Sequence, residues 1–180
     1  MPKAILVSVG VSVITVAIGL SPARGGQTLE QMEFQNQIRK ALVTLPYYGV
    51  FDDLAFSVNG GTVTLEGQVV RPSTKSDAKS RVKKIRGVEN VVDNIKVLPL
   101  SPDDNRLRRV LYRTIFKTPQ LSKYSLGTNP SIHIIVDTGH VTLIGIVDNE
   151  GDKNIAGIRA NTVGGIFSVT NDLRVETKNK

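Results

Sequence analysis

The sequence predicts an α/β (α+β) protein built as a tandem repeat of two α-β-β-α-β units, each a three-stranded mixed sheet with two helices on one face. The first observation behind this is a duplication. Val63-Thr64-Leu65-Glu66-Gly67-Gln68-Val69 returns 78 residues later as Val141-Thr142-Leu143-Ile144-Gly145-Ile146-Val147, and the stretch Gly87 to Val97 returns at the same spacing as Gly165 to Val175. Two blocks at one fixed spacing mark a duplicated structural unit. The second observation is a regular switch of hydrophobic period. Stretches with apolar residues three or four apart alternate with stretches in which every second residue is apolar, so helices and half-buried strands follow one another in order. A strand, a helix and a strand in succession make a right-handed crossover to a parallel neighbour, which is why each sheet is expected to be mixed.

The helix that opens the first unit is read from Phe34, Ile38, Leu42 and Leu45, and Pro46 ends it. Leu54 to Val58 is the first strand, and Asn59-Gly60 supplies a tight hairpin turn. The returning strand, Thr62 to Val69, alternates Val63, Leu65 and Val69 with Thr64, Glu66 and Gln68. Gly67 replaces an apolar residue in that alternation, and with Gly145 it is expected to be a packing glycine beneath a crossing helix. Ser73 or Thr74 caps the next helix, whose inward face is Ala78, Val82 and Ile85, and Gly87 stops it. Val88 to Leu98 closes the unit.

Pro99-Leu100-Ser101-Pro102 is a short, stiff connector that should keep the units close. Asp103 or Asp104 caps the following helix, whose stripe Leu107, Leu111 and Ile115 repeats that of Phe34, Ile38 and Leu42 at an offset of 73. The second unit therefore carries five extra residues in the loop around Leu121 to Ser131. Ile132, Ile134 and Val136 make its first strand, Asp137-Thr138-Gly139 its turn, Val141 to Val147 its second strand, and Ile155, Ala156, Ile158 and Val163 its second helix, which Gly165 follows.

Composition sets the frame around these units. At 180 residues with 40% apolar and 22% charged, the chain has room for two small domains. It has no cysteine, which excludes disulfides, thiolate nucleophiles and thiolate metal sites. Lys3 followed by an uncharged run from Ala4 to Leu20 and the small-residue site Ser21-Pro22-Ala23 reads as a secretory signal peptide, cleaved after Ala23 in preference to remaining as an anchor. The chain thus divides into a signal peptide (1–23), a linker (24–32), a first domain (33–98), a connector (99–102), a second domain (103–176) and a tail (177–180). The mature protein is expected in the periplasm.

At this point the residues resemble the BON domain family, in particular its exported two-domain members of the osmotically inducible type. The pattern is Val63-x-Leu65-x-Gly67-x-Val69, then Ala78, Val82, Gly87-Val88, Val91, Asn94 and Val97; the second copy has Val141-x-Leu143-x-Gly145-x-Val147, then Ala156, Ala160, Gly165-Ile166, Val169, Asp172 and Val175. The resemblance covers residues 33 to 176. It implies a fold without catalytic machinery or cofactor, binding to phospholipid membranes and a role in envelope survival under osmotic stress. Two departures stand out. No cysteine is present to carry a lipid anchor, which favours a soluble protein, and Asp172 stands where the first copy has Asn94.

Chemistry in the conventional sense is sparse. His133 and His140, one on each strand of the second hairpin, lack a third ligand nearby and read as exposed strand residues rather than a zinc site. Asp148-Asn149-Glu150-Gly151-Asp152 begins like a calcium loop, but Lys153 and Arg159 stand where the turn glycine and the bidentate acid belong, so it reads as an acidic loop capping a helix. No serine, histidine and carboxylate set has the context of a hydrolase motif, so an enzyme is not expected.

Charge carries the functional signal. Removal of residues 1–23 leaves 22 basic and 16 acidic residues, and residues 71 to 123 alone hold 14 Lys or Arg against 5 Asp or Glu, a net of +9. On a helical wheel Arg106, Arg109, Arg113 and Lys117 share an arc beside the apolar stripe, and Lys75, Lys79, Lys83 and Arg86 form a second one. One such stripe is ordinarily a solvated face, but two joined by a short connector point to an anionic partner. An exported protein seldom meets nucleic acid, and the chain has no aromatic stacking motif. Anionic phospholipid headgroups fit both address and charge. The rival reading is a scaffold that binds envelope proteins or peptides along an open sheet edge.

Overall fold

The computed structural model describes residues 28–127 and 129–176. The expected signal peptide and its cleavage site lie outside the described residues. In the first unit α1 (Leu29–Val43) leads to β1 (Asp53–Asn59), β2 (Thr62–Val69), α2 (Pro72–Lys83) and β3 (Asn90–Val97). The second repeats the order as α3 (Pro102–Phe116), β4 (Ile132–Asp137), β5 (His140–Val147), α4 (Glu150–Asn161) and β6 (Ser168–Val175). Each sheet is mixed: the hairpin strands pair antiparallel, Phe56 opposite Leu65 and Ile134 opposite Leu143, and the third strand runs parallel beside the second, Val63 opposite Val91 and Val141 opposite Val169. The strand orders are β1-β2-β3 and β4-β5-β6, the third strand taking the edge of the second that the hairpin leaves free.

The apolar face of each sheet meets its own two helices. Ile38, Leu42, Ala78 and Val82 close over Phe56, Val63, Leu65 and Ile95 in the first core. Leu107, Leu111, Ile115, Ala156 and Ala160 close over Ile134, Val141, Leu143 and Leu173 in the second. The five extra residues of the second unit build a short 3-10 turn (Ser122–Ser125) whose Tyr124 enters the second core.

Several local expectations are corrected. The start of α2 is set by Pro72 at its first position, with Arg71 at the cap making no side-chain bond, so neither Ser73 nor Thr74 caps it. The cap of α3 is Ser101, whose Oγ accepts from Asp104 N–H at 3.1 Å. Asp104 serves elsewhere, accepting from the N–H groups of Thr138 and Gly139, both at 2.9 Å, to clamp the β4–β5 turn. An unanticipated capping box, Thr28 with Gln31, opens α1 ahead of the expected boundary. Gly67 and Gly145 do not lie beneath helices. They sit at φ +116° and +132°, and a Cβ there would fall on the backbone carbonyl of Asp53, which opens β1, or of Ser131, which immediately precedes β4. The glycines therefore answer to strand backbone, at a conformation other residues rarely adopt.

The two units dock through the loops that join first helix to first strand. Val50 O accepts from Ile134 N–H on the outer edge of β4 at 2.7 Å, and Phe51 packs edge-on against Tyr112 of α3. In return Asn129, the counterpart of Phe51 at the 78-residue offset, donates its side-chain N–H to Val43 O at the end of α1, 2.8 Å away. Each loop thus reaches the other unit's first helix. Lys96 and Asp137 pair across the same boundary at 2.5 Å.

Candidate anion-binding surface

Helix α3 buries Leu107, Leu111 and Ile115, which turns Arg106, Arg109, Arg113 and Lys117 to the outside. None of these four has an ion pair or side-chain hydrogen bond among the described residues. Of the two acids in the first turn, Asp104 is buried and committed to the β4–β5 turn, and Asp103 is exposed without an ion pair among the described residues. Arg108, next to Arg109 in sequence but beside Ile115 on the wheel, is drawn inward instead. It is 3% exposed and donates to Val136 O and Asn105 Oδ1, and burial lowers its pKa.

The stripe on α2 is less complete than its spacing suggests. Lys75 is half-buried and donates to Ile95 O at 2.6 Å, with Asp93 at 3.7 Å, so it ties its helix to β3. Arg86 lies beyond the helix end. Lys79 and Lys83 remain exposed and without an ion pair among the described residues. The principal packing partners of α2 are α1, β2 and β3, and those of α3 are β4, α4 and the 3-10 turn, so no principal contact joins the two stripes.

One cation absent from the expected set belongs with α3. Arg159, in the last turn of α4, lines an open groove together with Arg113, Thr114, Lys117, Thr118 and Pro119. Its wheel position on α4 gave no stripe, and only the packing of α4 beside α3 brings it there.

The remaining candidates resolve as structural. His133 is buried rather than exposed: its Nδ1–H donates to Gly49 O at 3.2 Å and its ring lies 5.6 Å from that of Tyr48, so it belongs to the docking of the two units. Beside it Asp52 accepts from Gly49 and Val70 N–H, and burial raises its pKa. His140 is exposed, 2.7 Å from Ser168 Oγ. In the acidic loop Asn149 caps α4 by accepting from Asp152 N–H, while Asp152 accepts from Tyr124 O–H at 2.6 Å and pairs with Lys123 at 3.0 Å. Among the described residues no group of three or more His, Asp or Glu side chains could hold a metal ion, and no helix is long and apolar enough to cross a membrane.

Comparison with known proteins gives one decisive match. The family model described as BON domain fits residues 35–99 and again 103–177, one match on each unit. The comparison with curated proteins finds no match. Among solved structures the chain is similar to CdsD, a structural protein of the type III secretion system of Chlamydia trachomatis, at 14% identity and a TM-score of 0.31, covering 80% of this chain and 92% of that one. A structure of the CdsD C-terminal domain aligns at 15% identity and a TM-score of 0.30 over 82% of this chain and 99% of that one. Neither likeness bears on the function of this chain.

Proposed function

Because this chain belongs to the BON domain family, which is associated with phospholipid binding and envelope roles, we propose that it is an exported, non-enzymatic protein that binds anionic phospholipid surfaces and supports the cell envelope under osmotic or envelope stress. The observation that carries the reading is the outer face of α3, where Arg106, Arg109, Arg113 and Lys117 stand exposed with no acidic partner among the described residues. Charges left unpaired beside a committed core face are available to an anionic surface, each contributing about 1 kcal/mol near the membrane. Export with cleavage after Ala23 supplies the address, and recovery of an intact Met1 terminus from the envelope fraction would remove that part of the reading.

A specific observation also supports the scaffold reading. β3 and β6 each pair with a neighbour on one side only and form the outer edges of the two sheets, the geometry that accepts an added strand. Liposome flotation separates the two. The protein should float with vesicles containing phosphatidylglycerol or cardiolipin and stay behind with phosphatidylcholine alone; failure to float with either would turn the assignment to the scaffold.

A further inference from the structure

Resting on the lipid reading, the internal duplication indicates where an anionic group would be held. By the offsets of the repeat, Arg159 of α4 is the counterpart of Arg81 in α2, and Lys117 at the end of α3 is the counterpart of Thr44 at the end of α1. In the first unit these positions satisfy each other. Arg81 Nη1 donates to Thr44 O at 3.1 Å and to Thr44 Oγ1 at 3.3 Å, so the guanidinium caps the helix end and spans the space between the two helices.

In the second unit the threonine has become a lysine. An ammonium group has no lone pair to accept from a guanidinium, and although the Lys117 carbonyl remains, the two like charges repel and hold the side chains apart. Arg159 accordingly makes no side-chain hydrogen bond or ion pair among the described residues, and the space between α3 and α4 stays open as the groove bearing Arg113, Lys117 and Arg159 with no acidic residue on its walls. Cations in the last turn of a helix are favoured by the helix dipole. That accounts for the sign of the charges but not for the third of them, since the equivalent positions of the first unit hold only two cations, Lys40 and Arg81, with Thr44 in place of Lys117. Three cations around one groove repel one another, and a bound anion relieves that repulsion.

We propose that this groove is a phosphate-binding site, in which Arg113 and Arg159 hold the phosphate of an anionic phospholipid headgroup by charge-assisted hydrogen bonds and Lys117 adds a third positive charge. The test uses the full mature chain, vesicles of equal parts phosphatidylglycerol and phosphatidylcholine, and inorganic phosphate as a separate probe. Arg159→Gln removes one groove cation, Lys117→Thr rebuilds the arrangement of the first unit, and Arg109→Gln removes one charge from the same helix outside the groove. Arg159→Gln and Lys117→Thr should each lower vesicle partitioning about tenfold or more, and Arg109→Gln by no more than about fivefold, as for one surface charge. Circular dichroism should be unchanged in all three. Inorganic phosphate should move the guanidinium Nε–H resonances of Arg113 and Arg159 in the parent and not in Lys117→Thr. Equal losses in the three variants, with no response to phosphate, would overturn the groove while leaving the broader lipid surface in place. A phosphate response with groove variants no worse than Arg109→Gln on vesicles would overturn the lipid headgroup as the source. A parent that binds no anionic vesicle overturns the lipid reading itself, and the phosphate titration then decides the groove alone.

Discussion

A methyl group at Gly145 would land on the carbonyl of Ser131, and the residue carrying it would have to hold φ at +132°. Both costs fall on backbone that a β ladder fixes from either side, so neither can be relaxed by a rotamer change. Gly145→Ala should therefore destabilise the second unit by about 2 to 4 kcal/mol, the sum of an unfavourable backbone conformation and a steric overlap. A thermal melt indistinguishable from the parent would show that the strand can shift to admit a side chain. Such a site is only half legible in sequence. A glycine interrupting the alternation of Val141, Leu143 and Val147 announces that something comes close, but helix and neighbouring strand leave the same mark, and only the register of Gly145 opposite Ile132 identifies the strand. His133 was misread for a related reason. Its alternation places it on the sheet face away from the helices, which normally means water, and the loop that covers it comes from the other unit.

At the scale of elements the inserted loop of the second unit depends on one polar clamp. Tyr124 donates to Asp152 Oδ2, accepts from Asp148 N–H at 2.8 Å, and has Lys123 beside it reaching both Asp148 and Asp152. The hydrogen bond from Tyr124, helped by Lys123, holds the Asp152 carboxyl below its usual range, whereas burial pushes the Tyr124 hydroxyl up. A carboxylate whose pKa is lower folded than unfolded stabilises the fold above its unfolded value of about 3.9, and that contribution disappears as the pH falls through the folded value. Tyr124→Phe should lower stability at neutral pH by about 1 to 3 kcal/mol, the cost of leaving buried polar partners unsatisfied, and should flatten the acid limb of the stability profile below about pH 4. Denaturant melts of parent and variant across that range measure both effects, and parallel profiles would remove Asp152 as the origin of the acid sensitivity. The order of the elements was legible because binary pattern and turn residues agree along most of the chain. Helix starts were less so, since Pro72 and Pro102 set them while nearby hydroxyls and carboxylates offered equally good caps. Nothing local signalled that Asp104 would serve a turn in another element.

For the whole molecule the question is how charge on separate helices adds up at a surface. Sequence spacing treats the stripes of α2 and α3 as equals, yet folding commits Lys75 to β3 and leaves Arg86 off the helix, whereas all four cations of α3 stay outside. The α3 face should therefore dominate. Changing Arg106, Arg109 and Arg113 together to Glu reverses three charges on a face that contributes nothing to either core, so circular dichroism should be unaltered while cosedimentation with phosphatidylglycerol or cardiolipin vesicles is lost. Changing Lys79 and Lys83 to Glu should weaken binding by a smaller factor, because two fewer cations are removed than the spacing implies and the rest of the surface is intact. Both effects should fade with salt, as the screening length shrinks from about 10 Å at 0.1 M to about 3 Å at 1 M. Binding that survives the α3 reversal, or that is indifferent to salt, would mean that something other than these cations holds the protein to lipid. Comparable losses from the two helices would instead mean that α2 and α3 meet the membrane as one surface, a continuity that the packing of each helix within its own unit does not require.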